Sequence, residues 1–146
     1  MIIRDFVKDD LDEYLSMSVD FFSMGATLYP PDTNRFTETF NLCLRDKTYA
    51  RGLMIEENGE ILGFCLLALT YSNECGGMVL WVEELYVKPE HRCKKIGTEV
   101  FAFLKKEYPH FKRFRLEVCH SNEGAIKLYE NLGFKFLDYG QMIWEG

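Results

Sequence analysis

The chain has 146 residues, 47% of them apolar and 15% aromatic, with a formal net charge of −6. That length suits a single domain spanning residues 1–146 with a real core, and the apolar content excludes a disordered chain. No apolar run nears the roughly 20 residues of a membrane span. The first residues, Met1-Ile2-Ile3-Arg4-Asp5, lack a signal-peptide pattern, so a cytoplasmic protein without a membrane partner is expected.

The charge is unevenly placed. Residues 1–46 hold 4 basic and 9 acidic side chains, and residues 88–115 hold 9 basic and 3 acidic ones. The basic middle suits an anionic ligand. The acidic first third suits a cationic second substrate, or is simply a solvated surface. Overall acidity and the lack of a reader motif argue against nucleic acid. The five cysteines, Cys43, Cys65, Cys75, Cys93 and Cys119, are odd in number and widely spaced. Neither a disulfide framework nor a metal site is expected.

Met1 to Phe6 reads as a strand. Asp9 or Asp10 can cap a helix through Leu11, Leu15, Val19 and Phe22. After Tyr29-Pro30-Pro31, Asp32 or Thr33 can cap a second helix through Phe36, Phe40, Cys43 and Leu44. Two strands, Tyr49 to Glu56 and Glu60 to Tyr71, flank the hairpin signal Asn58-Gly59. Gly76-Gly77 leads into a strand ending at Val87. A helix beginning near Lys95 carries Val100, Phe101 and Leu104 on one face. Pro109 breaks the chain, and Phe111 to Val118 is the next strand. The helix after Asn122 shows Ala125, Leu128, Tyr129 and Leu132 on one face, and Gly133 ends it. Phe134-Lys135-Phe136 and Gln141-Met142-Ile143-Trp144 read as closing strands.

Two segments carry chemistry. In the first, the strand Val79 to Val87 feeds a short basic loop, His91-Arg92-Cys93-Lys94-Lys95-Ile96-Gly97, and then a helix start. The first N–H groups of a helix have no internal partner and its dipole adds positive charge there, so this is an anion site. Arg92, Lys94 and Lys95 point to phosphate. In the second, Asn122-x-x-Ala125-x-x-Leu128-Tyr129-Glu130-x-x-Gly133-Phe134 follows one helix and one strand later. Either alone is open to a plainer reading as an amphipathic helix with its cap.

Together, in this order, the two segments resemble the GNAT superfamily of acetyl-CoA-dependent N-acetyltransferases. The resemblance implies an α/β (α+β mixed) fold: a bent, mostly antiparallel mixed sheet with splayed central strands and about four helices. It implies acetyl-CoA as co-substrate, held by Leu85, Tyr86, Val87, Arg92, Cys93, Lys94, Lys95, Ile96, Gly97, Asn122, Ala125 and Tyr129. Lys95 stands where the family's loop usually has glycine. The resemblance also implies that Leu85-Tyr86-Val87 splays from Leu116-Glu117-Val118 and bonds the pantetheine arm through its backbone. Tyr129 occupies the position of the tyrosine that protonates the departing thiolate.

An alkylammonium must lose a proton before it can attack a thioester. Glu83 and Glu84 are the candidate catalytic carboxylates. Plain strand alternation puts them on opposite faces. Glu83 shares parity with Leu85 and Val87 and is the preferred base, with Glu84 drawing the substrate cation. A salt bridge to Arg113, Arg115 or a nearby lysine is the plainer reading for either, and His120 is a weaker base candidate. The expected acceptor is a primary amine, with the acidic first third leaning toward a cationic small molecule. A homodimer is common in the family. A CoA-binding sensor of the same fold without turnover is the other functional reading.

Overall fold

A computed structural model describes all residues, Met1–Gly146. Five strands form one sheet in the order β1-β2-β3-β4-β5: β1 Ile2–Asp5, β2 Ala50–Glu57, β3 Glu60–Ser72, β4 Gly77–Val87 and β5 Arg113–Leu116. The first four pair antiparallel, and β4 pairs parallel with β5. Four helices complete the domain: α1 Leu11–Ser23, α2 Thr33–Arg45, α3 Ile96–Glu107 and α4 Glu123–Asn131. None is long and apolar enough to cross a membrane.

The sheet is the middle layer. On one face, Phe6, Met54, Phe64 and Tyr86 pack with Tyr14, Met17, Phe36 and Phe40 of α1 and α2. On the other, Leu53, Leu67, Leu80 and Val82 pack with Ile96, Val100, Phe101 and Leu104 of α3. Alternation along each strand feeds both cores. The parallel β4–α3–β5 unit needs a crossover helix, and α3 is that helix.

Local signals explain most boundaries. Asn58 and Gly59 both take positive φ, 52° and 79°, as a tight two-residue hairpin turn requires. Asp32 caps α2 by accepting from the N–H groups of Asn34 and Arg35. Gly133, at φ 97°, ends α4 in a Schellman turn: its N–H donates to Glu130 O, and that of Phe134 to Tyr129 O.

Three expectations fail. Asp10 precedes α1 but makes no side-chain cap for it. Its buried carboxylate instead accepts from the Val7 N–H at 2.8 Å and from Arg4 at 2.8 and 3.0 Å. The strand expected over Phe111 to Val118 is only Arg113–Leu116, because pairing with β4 stops there. Phe134–Phe136 and Gln141–Trp144 form no strands, and no backbone hydrogen bond involves residues 135–146. Their strand-like composition is real, but no strand of the sheet bonds to them.

Gly63 fixes how close β3 lies to the far end of β4. A Cβ built there would sit 2.1 Å from Tyr86 O, a backbone atom that cannot yield without moving the strand. Gly63→Ala is therefore expected to cost about 3 kcal/mol, the upper range for overpacking, read as a lowered midpoint in denaturant melts.

Candidate functional site

The decisive local feature is a bulge in β4. Leu66 pairs with Glu84 but Leu67 pairs with Val82, so Glu83 is the extra residue. The bulge resets the alternation. Val82 and Leu85 both join the α3 core, whereas Tyr86 joins the α1/α2 core. Glu83 and Glu84 therefore lie on the same side of the sheet, near enough to repel. This corrects the expectation of opposite faces, and the parity argument for Glu83 as base goes with it.

The bulge also ends the pairing with β5. The last pair is Val82 with Leu116, yet β4 runs on to Val87. In that overhang, Lys88 N–H donates back to Leu62 O of β3 at 2.8 Å, and Val87 O accepts from Arg92 Nε on the opposite side at 2.8 Å. By alternation, Leu85 carries its N–H and C=O into the notch between β4 and β5. The notch is thus lined by unpaired main-chain groups, as strand addition by an extended ligand requires.

A cavity of about 440 Å³ opens on this notch. Leu85, Tyr86 and Val87 of β4 line it, with Arg92, Cys93, Lys95, Ile96 and Gly97 from the loop and helix start, and Asn122, Ala125 and Tyr129 from α4. Of the residues expected to hold a cofactor, only Lys94 is outside the lining. Phe21, Met24 and Ala26 complete the wall. They come from α1 and the loop after it, far away in sequence, and no local motif marks them.

The loop has the backbone of an anion nest. Cys93 and Lys95 take left-handed φ values of 63° and 62°, the backbone turns from which anion-binding concavities are built. Lys95 occupies a conformation that glycine adopts freely and other residues adopt at a cost of about 1–2 kcal/mol. Gly97 has a packing reason to be glycine: a Cβ there would lie 2.7 Å from Leu128 Cδ2 of α4. Arg92 folds back over the loop, its guanidinium 5.7 Å from the Tyr86 ring centre and its Nη2 3.5 Å from Met24 Sδ. The Tyr86 hydroxyl donates to Asp20 of α1. This chain of contacts, Asp20–Tyr86–Arg92–Val87, ties α1 to the end of β4 and braces the loop before α3.

Burial raises two carboxyls here. Glu84 is mostly enclosed, its Oε2 has no hydrogen-bond partner, and burial plus the charge of Glu83 push it up to about 7. Glu83 is the more exposed of the two. Burial and the neighbouring charge of Glu117 on the far side of the notch raise it too. Neither forms a salt bridge; Arg113 pairs with Glu74, and Arg115 stacks 4.4 Å over Trp81. Tyr129 packs edge-on against Phe101 and Phe134, and burial raises it to about 12. Its hydroxyl has no protein hydrogen-bond partner, so it is available to a ligand. Asn122 Oδ1 caps α4 by accepting from Ala125 N–H at 3.3 Å. His120 stacks on Phe136 rather than on the carboxylate pair.

Residues 11–134 match the family model described as Acetyltransferase (GNAT) family. The chain belongs to the GNAT acetyltransferase family. An uncharacterized N-acetyltransferase of Methanocaldococcus jannaschii is 28% identical over 139 residues, 91% of this chain but 60% of that protein's length. A possible acetyltransferase from Clostridium difficile has the same fold, with TM-score 0.85, 22% identity, and coverage of 99% of this chain and 97% of that one. So has the aminoglycoside N-acetyltransferase AAC(6')-Iy, solved in complex with CoA, with TM-score 0.79, 15% identity, and coverage of 99% and 93%. At these identities the solved structures establish the fold alone.

The strained carboxyl has a thermodynamic signature. A folded-state value near 7 exceeds the ordinary 4.5, so the native state holds its proton more tightly than the unfolded chain. The resulting stability is complete below pH 4.5 and is lost as pH rises through 7. Glu84→Gln should thus leave stability near pH 4 unchanged and raise it at pH 8, by on the order of 3 kcal/mol. Chemical melts of both proteins at the two pH values measure it.

Proposed function

We propose that this chain transfers an acetyl group from acetyl-CoA to a primary amine by direct attack in a ternary complex. The observation that carries the reading is the notch itself. Family membership, unpaired main chain at Leu85, the anion nest at α3 and an unpartnered Tyr129 hydroxyl all converge on one cavity. The pyrophosphate would sit on the N–H groups of Ile96, Gly97 and Thr98, with Arg92 and Lys95 supplying charge. The pantetheine arm would add to the free edge of β4 as a short strand. The thioester carbonyl would then face the Leu85 N–H, which stabilises the oxyanion as the amine attacks.

Within the carboxylate pair, we assign proton removal to Glu84. A group that titrates near 7 holds little charge to waste and accepts a proton readily at working pH. Glu83, exposed beside Glu117, has the access needed to draw an ammonium into the notch. One proton leaves the ammonium for Glu84 and the N–C bond forms; the C–S bond breaks as Tyr129 gives its proton to the thiolate, and the second proton that nitrogen sheds on becoming an amide restores the Tyr129 hydroxyl. The acceptor we favour is a small polycation, because the charges of Glu83 and Glu117 lie close together at the notch.

Kinetics separate these roles. With acetyl-CoA and a reactive amine, the rate should rise with pH through about 7 as Glu84 ionises. Glu84→Gln should remove that limb and lower kcat by roughly 10²–10⁴-fold. Glu83→Gln should raise KM for the amine and move the limb to lower pH, because a repelling charge has gone. Tyr129→Phe should lower turnover while CoA binds nearly as before. A parent protein that binds CoA but acetylates nothing across a broad amine panel would favour the sensor reading instead.

A further inference from the structure

Two buried polar atoms have no hydrogen-bond partner: Glu84 Oε2 of β4 and Ser18 Oγ of α1. Ser18 is fully buried. A serine or threonine hydroxyl inside a helix can donate to the carbonyl four residues back. Ser23 of the same helix does so to Val19 O at 2.6 Å, and Thr37 of α2 to Thr33 O at 2.8 Å. Ser18 forgoes that bond and lies on the face of α1 that carries Tyr14 and Met17 into the core. Its place over the sheet is bracketed. Tyr14, four residues before it, and Phe21, three after it, hold their ring centres 5.1 and 6.4 Å from that of Phe64. Phe64 pairs with Tyr86, and two residues along the same face Leu66 pairs with Glu84. Ser18 and Glu84 thus approach one another from opposite walls of the α1 side of the core.

A buried hydroxyl and a buried carboxyl oxygen left without partners are each costly. A third polar group stands with them, the hydroxyl of the buried Tyr14. Burial above all, then the charge of Glu84, pushes that hydroxyl up, and the Ser18 hydroxyl pulls it down, so it lies near both. Three such groups supply the two to four partners that a buried water takes. We propose that Ser18 and Tyr14 are positioning residues for Glu84: their hydroxyls hold one water against its enclosed oxygen, Oε2. This role rests on the assignment of proton removal to Glu84. The other groups around the carboxyl give it no support. Glu83 alongside opposes its ionisation. Cys65 of β3, and Cys43 of α2 beside Tyr14, are thiols that burial keeps neutral. Asp20, two residues beyond Ser18, is engaged with the Tyr86 hydroxyl. Hydrogen bonds from the held water favour the carboxylate form and fix the rotamer that presents the other oxygen to the amine.

Carbon NMR of protein labelled at the glutamate carboxyls tests this without CoA, amine or turnover, and Glu84→Gln identifies the Glu84 resonance. Ser18→Ala should raise the titration midpoint of Glu84 by about one pH unit, as the loss of one hydrogen bond to a charged group implies. Tyr14→Phe should raise it similarly. Because both hydroxyls hold the same water, the double variant should go no further than the larger single change. Neither residue lines the cofactor cavity. KM for acetyl-CoA should therefore hold, while the rising limb of kcat moves to higher pH together with the carboxyl midpoint. Circular dichroism like the parent's shows that the fold is intact. A midpoint unmoved by either variant would overturn the link to Glu84, whatever the rate does. Two changes that add in the double variant would overturn the shared water. A midpoint that rises while the kcat limb stays in place would uphold the link and remove Glu84 as the base.

Discussion

Pairing between β4 and β5 stops at Val82 and Leu116, and the rest of the site follows from that stop. The cause is one surplus residue, Glu83, in the ladder with β3. A bulge twists and bends its strand, and here it turns the last residues of β4 away from β5. Backbone groups that a longer β5 would have consumed are left facing a cavity. A buried main-chain group without a partner is costly, so such an edge either meets water or awaits a ligand with amides of its own. Gly63 makes the arrangement possible from the other side, since any side chain there would collide with Tyr86 O.

The same bulge sets the electrostatics. It brings two adjacent carboxylates to one side of the sheet, where regular alternation would separate them. One is enclosed and the other solvent-facing, and their mutual repulsion adds to the effect of burial. The fold sustains this strain with a large two-sided core: Tyr14, Phe40 and Phe64 on one face and Val100, Phe101 and Leu104 on the other are fully buried. Across the notch the balance of charge inverts. The loop before α3 gathers Arg92 and Lys95 around a backbone already turned to receive an anion. Carboxylates at one end of the notch and cations at the other are what the proposed reaction between a cation and a phosphorylated thioester would need.

Much of this was legible in the sequence, because its signals are local. Asn58-Gly59, Asp32 and Gly133 each dictate a turn or cap through their own backbone preferences. The loop His91–Gly97 and the Asn122–Phe134 segment carry enough pattern to name a family. The bulge was not legible, because Val82-Glu83-Glu84-Leu85 reads as an unbroken strand and only the partner strand reveals the extra residue. Nor were Phe21, Met24 and Ala26, which reach the cavity through tertiary packing alone. The closing strands failed for a related reason. Phe134–Phe136 and Gln141–Trp144 have strand composition, but strand formation needs an edge within reach, and β5 is short.

The central claim is that the unpaired edge of β4 and the start of α3 together receive acetyl-CoA. The most direct measurement is a titration of ¹⁵N-labelled protein with acetyl-CoA, following backbone amides by NMR. The account predicts large shifts and slowed hydrogen exchange at Leu85 and Val87, together with Ile96, Gly97 and Thr98. Amides of Leu53, Met54 and Ile55 in β2, paired with β1 on one side and β3 on the other, should stay still. Saturable binding that leaves Leu85 and Val87 unmoved, or no binding at all, would contradict it.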